Sequence, residues 1–528
     1  MGSPQSKITP AHVTRQKEIA DYLRAALPGR EDDEGYVYVN GDGMEDNGCA
    51  AKLLRKPEVL SEVLVQGWQN QLLASPKNRL ALTALSSIDP KKLLQSRDAH
   101  ITQHQVFNIK IPFEGGPMTN QRSSGRCWLF ASTNVFRVAL MQKYELESFE
   151  LSQAYLFFWD KMEKCNYFLE QILDTADLDL DSRLVQTIVG TPINDGGQWD
   201  MVRNLVDKYG LIPQDLYPDS ANAMASSTVN QVLSNKLREG ALILRKAARE
   251  AARAASDSPG EKTTPLQDLL TTLATTKSRI LREIHAVLTL TLGPPPAADS
   301  AFEWSFVDCH GRARSVSSTP LDFARDIYST AGGSLRITRA VIDRQISLVH
   351  DPRHPPLSLL TVDRLGNVVG GRGITYVNVA MPQLKAAVIS MLRAGLPVFF
   401  GCDVGKFSDI TSGIMDLALI DYELGLGVSM LGMDKAARLR TGESAMTHAM
   451  VLTAVHVEEG NTAVRWRVQN SWGEAPGEKG WFLMTDAWMD EFVYQAVVDP
   501  RFLPKDVTDV LVQEPIVLPL WDPMGSLA

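Results

Sequence analysis

Cysteine is scarce here: five residues among 528, an odd number, with no C-x-x-C pair. So sparse a set argues against a disulfide scaffold and fits a reducing compartment. Excess positive charge is lacking too. Lys and Arg number 53 against 62 Asp and Glu, a net charge of −9, which disfavours a whole-surface binder of nucleic acid or anionic membrane while leaving a local basic patch open. Long apolar runs are absent. The nearest, AVISMLRAGLPVFFG, is interrupted by Arg393 and Pro397, short of the roughly 18 residues a membrane span needs. The first thirty residues hold no apolar core with a small-residue cleavage site, so no secretory signal is expected. These absences together lead to a cytoplasmic protein with no membrane span. Against them stands Met1-Gly2-Ser3-Pro4-Gln5-Ser6, which fits the short myristoylation pattern at Gly2.

A chain of this length exceeds one compact core. Residues 1–70 read as an N-terminal extension, with a short amphipathic helix around 16–26, an acidic glycine-containing stretch, and helix formers from 58 to 85. Residues 71–220 hold two strong helical signals. CWLFASTNVFRVALMQKY, 127–144, is apolar on most of its circumference and predicts a buried helix. A second helix follows Ser152, which is placed to cap it. Residues 221–370 read as a mainly helical insertion, rich in Ala, Leu, Lys and Arg as far as 292 and alternating short strands and helices after 301. Arg245, Arg249 and Arg253 lie four apart, either a solvated face or a docking stripe for a partner or a nucleic-acid backbone. Residues 371–510 read as a helix, a buried strand and alternating runs, the pattern of an antiparallel sheet. The last segment, 511–528, is proline-interrupted and predicted to lie extended, with Leu520 and Trp521 docking it on the body.

Chemistry centres on NQRSSGRCWLF. Cys127 opens its helix, where unsatisfied N–H groups and the macrodipole favour a thiolate and can stabilise an adjacent oxyanion. Gln121, six residues earlier, has an amide able to complete that oxyanion hole. His448 starts an apolar strand-like run and Asn470 ends the next, followed by Trp472. Adjacent antiparallel strands would bring imidazole and amide together, fixing the tautomer under a shielding indole. His456 reads as a sheet-surface histidine, and Cys49, Cys165, Cys309 and Cys402 have no comparable setting.

In order, Q-x5-C-W, T-H-A and Q-N-S-W-G resemble the papain-like cysteine peptidases, and NDGGQWD at 194–200 resembles their substrate-binding glycine pair. The resemblance implies an α+β papain-like fold, a helical half plus an antiparallel β-sheet half. It makes Cys127 the nucleophile, His448 the general base and acid, Asn470 its orienter and Gln121 an oxyanion donor, with Asp195, Gly196 and Gly197 contacting substrate. No cofactor and no metal is expected. Two departures mark the branch. Ser124 stands where secreted members carry a disulfide-bonded Cys, and His448 lies 321 residues beyond Cys127 rather than about 130–150. With this insertion and the ending VLPLWDPMGSLA, the chain resembles the bleomycin hydrolase family of aminopeptidases.

That likeness implies peptide substrates, bleomycin and homocysteine thiolactone as further substrates, a homohexamer with inward-facing sites, and a C-terminal arm entering each cleft. A carboxylate at Ala528 would fill the far-side subsites and attract a substrate's free α-ammonium. The competing readings are a papain-like endopeptidase and a self-compartmentalising nucleic-acid- or partner-binding protein.

Overall fold

A computed structural model describes residues 59–257, 264–327 and 339–527. The expected helix at 16–26, the acidic stretch, Gly2, Cys49 and Ala528 lie outside the described residues. Two compact units divide after Ala84, and each is described by itself. The first contains helix Glu62–Ala74, whose N-cap Ser61 accepts from the Leu64 N–H, and most of helix Pro76–Leu85. Helix formers do return across 58–85, as the sequence suggested.

The second unit is built around α1, Cys127–Tyr144, with fifteen of its eighteen residues buried, as its all-round apolar character requires. α2, Gln153–Asp174, starts at Ser152, whose hydroxyl accepts from the Tyr155 N–H. α3, Trp199–Tyr209, follows the glycine pair and stops at Gly210, where φ is +76° and a Cβ would lie 2.1 Å from the Pro320 carbonyl. The insertion opens with two long helices, α4 (Ser227–Asp257) and α5 (Thr264–Leu292), which pack on each other and on α2. Leu233, Leu237, Ala241 and Leu244 of α4 and Ile280, Ile284, Leu288 and Leu292 of α5 are buried, at the three-to-four spacing one helix face demands.

Of the Arg stripe on α4, Arg245 is buried, whereas Arg249 stays exposed as a solvated face would have it. Arg245 donates to the carbonyls of Thr175 and Leu178, and Arg249 to those of Ala176 and Leu178. These carbonyls belong to Thr175, the C-cap of α2, and to the turn that follows it, where the helix dipole favours cations.

Beyond the helical pair comes a two-stranded hairpin, β1 (Phe302–Val307) with β2 (Ala313–Ser318). The remaining strands belong to one sheet: β3 (Ile346–Val349), β4 (Ser358–Val362), β5 (Tyr376–Asn378), β6 (Val398–Cys402), β7 (His448–Val457), β8 (Ala463–Gln469), β9 (Trp481–Thr485), β10 (Val493–Val498) and β11 (Ile516–Leu518). Their spatial order is β11-β4-β5-β3-β10-β6-β7-β8-β9, and short pairs of residues at 414–415, 408–409 and 109–110 complete twelve described strands. The expected antiparallel pairing holds for β6, β7, β8 and β9. Parallel pairs also occur, β3 with β5 and β4 with β11. The end of the insertion is therefore not a separate helical body: two of its strands, β3 and β4, extend the sheet, and the C-terminal β11 closes that edge. α6, Met381–Arg393, covers the sheet between β5 and β6 in sequence, and α1 packs on β7. No described helix is long and apolar enough to cross a membrane.

Candidate active site

Three backbone contacts draw the loop before α1 onto the segment after β8. Gln121 N–H donates to Ser471 O at 2.8 Å, Gly473 N–H to Thr119 O at 2.9 Å, and Asn120 bridges Trp472. The packing of α1 on β7 brings Cys127 to the backbone N–H of Ala449, the residue after His448, which opens that strand.

The α1 N-cap, Arg126, offers no side-chain cap. Its buried guanidinium turns away to hold Asp219 through two contacts, 2.6 and 3.1 Å, and leaves the first-turn amides to the thiol. Cys127 receives hydrogen bonds from the backbone N–H groups of Ala449, Trp128 and itself, which favour thiolate. Burial outweighs them and pushes the thiol up to about 11. The helix-start position does not by itself deliver an acidic thiol, contrary to the sequence expectation, because the site is dry.

Asn470 Oδ1 accepts from the Ser471 N–H at 2.8 Å, which identifies it as the amide oxygen. It lies 2.9 Å from His448 Nε2, so that nitrogen carries the proton and donates. Nδ1 is thereby left as the basic nitrogen. Trp472 stacks on the imidazole with centroids 4.8 Å apart and planes at 28°, covering the pair. Burial lowers His448 to about 4, and the Asn470 bond opposes it. Gln121 is fixed at both ends of its amide: Oε1 accepts from Ser471 Oγ at 2.7 Å, and Nε2 donates to Ser124 O at 2.6 Å. A primary amide has a second N–H. Cys127, His448, Asn470 and Gln121 are thus brought together.

The Asp195 carboxylate is buried and fully engaged, with Lys161 Nζ at 2.6 Å, Gly125 N–H at 2.9 Å, Ser226 Oγ at 2.5 Å and Asn230 Nδ2 at 2.7 Å. Both oxygens of that side chain are taken up by these four donors. Gly196 O accepts from Lys164 Nζ at 2.5 Å. Gly197 meets Trp128: a Cβ there would lie 2.4 Å from the indole, whose N–H donates to Asp195 O at 2.7 Å.

Ala528 lies outside the described residues, but the segment before it is described. β11 runs beside β4, then Asp522 caps a turn at Pro523–Gly525, so the tail is extended only in part. Arg353 grips Asp522 through contacts of 3.0 and 2.7 Å, and Arg183 sits 4.1 Å over the Trp521 ring. Ser526 O then accepts from Gln198 Nε2 at 3.0 Å, and Ser526 Oγ donates to Met446 O at 3.0 Å. These partners adjoin Gly197 and precede His448 by two residues. A cavity of about 400 Å³ lies alongside, bordered by Tyr167, Phe168, Ile188, Arg364 and Leu527.

Gln198, Arg353, Lys161, Ser226 and Asn230 were not singled out from the sequence. Only Gln198 lay inside a quoted motif; the others carry no local signature, since the partners that tie them to the site, Asp195 and Asp522, are 31 or more residues away.

The Peptidase C1-like family profile matches residues 59–525. "Cysteine proteinase 1, mitochondrial" of Saccharomyces cerevisiae is 40% identical over 491 residues, 90% of this chain and 96% of that protein. "Bleomycin hydrolase" of Gallus gallus is 40% identical over 476 residues, 89% of this chain and 99% of that one. The crystal structure of PepW from Lactobacillus rhamnosis superposes with a TM-score of 0.79 at 36% identity, covering 89% of this chain and 99% of the other.

Proposed function

Because the chain belongs to the Peptidase C1-like family, being a cysteine peptidase of the bleomycin hydrolase kind with a papain-like α+β fold, we propose that it removes residues from the free N-termini of peptides. The observation that carries this reading is Ser526, pinned between Gln198 and Met446 at the rim of the His448 strand. On this reading the arm end narrows the acyl side of the scissile bond, so that a free N-terminus is accepted in preference to a longer chain.

In the proposed mechanism the Cys127 thiol passes its proton to His448 Nδ1 as sulfur attacks the peptide carbonyl carbon. Burial disfavours each charge alone, so thiolate and imidazolium arise together as a pair whose charges compensate. The oxyanion accepts from the Cys127 backbone N–H and the second Gln121 Nε2 hydrogen. The C–N bond breaks as the imidazolium gives its proton to the leaving amine, forming a thioester. Water then attacks with His448 as base, releasing the amino acid and restoring the thiol. Asn470 keeps Nε2 protonated throughout, so Nδ1 always faces the chemistry.

Bleomycin and homocysteine thiolactone, an amide and a thioester, fit the same acyl transfer. A homohexamer and a cytoplasmic location belong to the proposal; sedimentation and cell fractionation address them. The nucleic-acid reading loses support at Arg245, which is buried and bonded to the carbonyls of Thr175 and Leu178.

The test compares free and N-acetylated forms of one peptide, with wild type and Cys127→Ala. Release of the first residue from the free form alone, absent in the variant, supports the reading. Equal internal cleavage of both forms would establish an endopeptidase instead.

A further inference from the structure

The Asp195 carboxylate joins three parts of the chain that are far apart in sequence. It takes the backbone N–H of Gly125, two residues before the nucleophile. Ser226 Oγ, just before α4, and Asn230 Nδ2, within its first turn, supply two more donors. Lys161 of α2 supplies the counter-charge, its side chain wholly buried. The Asp195 main chain takes part as well, since its carbonyl receives the Trp128 indole N–H. The nucleophile loop is therefore held on both sides of Cys127 by one residue.

Gly125 shows how close this approach is. A Cβ on it would lie 2.8 Å from Asp195 Cβ, so only glycine lets the carboxylate reach the amide. Ser124, beside it, stands where the secreted papain-like enzymes carry a disulfide-bonded cysteine. In a compartment that would reduce such a bond, the loop needs another tether.

We propose that Asp195 is a positioning residue for the nucleophile: a buried, charge-assisted staple that fixes the Gly125–Cys127 backbone, and that recruits the helical insertion into the catalytic apparatus through Ser226 and Asn230. Lys161, Ser226 and the Gly125 N–H outweigh the burial that would raise this carboxyl and hold it well below the usual carboxylate range, so the staple is ionised at neutral pH. Its target is the oxyanion geometry. The Cys127 N–H points at the developing charge only while the preceding peptide is held, and hydrogen bonds of this kind act through sub-ångström placement. The insertion then has a role inside the monomer, whatever it does between subunits.

The inference rests on the peptidase reading, and the experiment separates the two. Asp195→Asn and Ser226→Ala are made in the full-length protein. Hydrogen exchange of a peptide covering the 120–128 loop is followed by mass spectrometry, alongside kcat and KM on an aminoacyl amide. Asp195→Asn is expected to speed loop exchange at least tenfold and lower kcat at least tenfold, with KM within twofold and α5 exchange unchanged. Ser226→Ala, which keeps the Lys161 pair, should shift loop exchange and kcat about threefold in the same directions. It carries the test if Asp195→Asn does not fold. Unchanged loop exchange overturns the staple, as does a rise in KM with kcat held, which would assign Asp195 to substrate binding. If the wild type hydrolyses no substrate, the peptidase reading falls while loop exchange still judges the staple.

Discussion

At the scale of single residues, the site is defined by dryness more than by charge. A thiol at about 11 is ionised to only about one part in ten thousand at pH 7, so on the proposed mechanism Cys127 needs His448 to accept its proton. His448→Ala is therefore expected to slow iodoacetamide labelling of Cys127 at least tenfold at pH 7, leaving exposed Cys309 unaffected. Peptide mass mapping reads both, and an unchanged Cys127 rate would show a thiolate that needs no imidazole. The same burial has a pH consequence. His448 falls to about 4 in the folded state against an unfolded value of 6.5, so the unfolded chain binds the extra proton between those pH values. Its contribution to stability is complete above pH 6.5 and is lost as pH falls towards 4, at about 1.4 kcal/mol per unit. His350, also lowered by burial, acts in the same direction. The difference between wild type and His448→Gln in denaturant titrations across pH 4–7 isolates the His448 share. A difference that does not vary with pH would contradict it.

At the scale of elements, the start of α1 and the glycine loop before α3 form one packed unit. Trp128 is fully buried with its indole N–H committed to Asp195 O, so it has no freedom to yield to a larger neighbour. Gly197→Ala would drive a methyl to 2.4 Å from that ring. Overpacking of this sort costs about 1–3 kcal/mol, and here it displaces the residue next to the nucleophile. Thermal denaturation should show a clearly lowered Tm together with reduced turnover. An unshifted Tm would mean that the loop slides freely along α1. The element boundaries were largely legible beforehand. Residues 127–144 and the Ser152-capped helix formed as their apolar pattern and cap dictate. A solvated face does not describe Arg245, because periodicity reports which residues share a face and says nothing of the carbonyls opposite; exposed Arg249 fits it.

At the scale of the whole molecule, the C-terminal arm is held by a charge network that survives its own removal. Arg353 pairs with both Asp522 and Asp351, so deleting residues 521–528 leaves the guanidinium with a carboxylate and no orphaned buried charge. The truncated protein should fold and assemble as the wild type does, which sedimentation checks. On the proposed reading it loses its preference for free N-termini and cuts N-acetylated peptides internally. A truncated protein as selective as the full chain would remove the arm from the account.

The order and types of the chemical groups were determined by sequence alone. Cys127 at a helix start, His448 at a strand start and Asn470 before a tryptophan are local facts, tied to capping, strand periodicity and residue chemistry. Tertiary structure decided what each group is able to do. Whether a carboxylate binds substrate or staples a loop depends on Lys161, Gly125, Ser226 and Asn230 arriving from separate elements. Whether a thiol is acidic depends on how much water the packed halves exclude. Residue patterns encode short-range geometry, whereas dielectric, close approach and hydrogen-bond satisfaction arise only when distant segments meet.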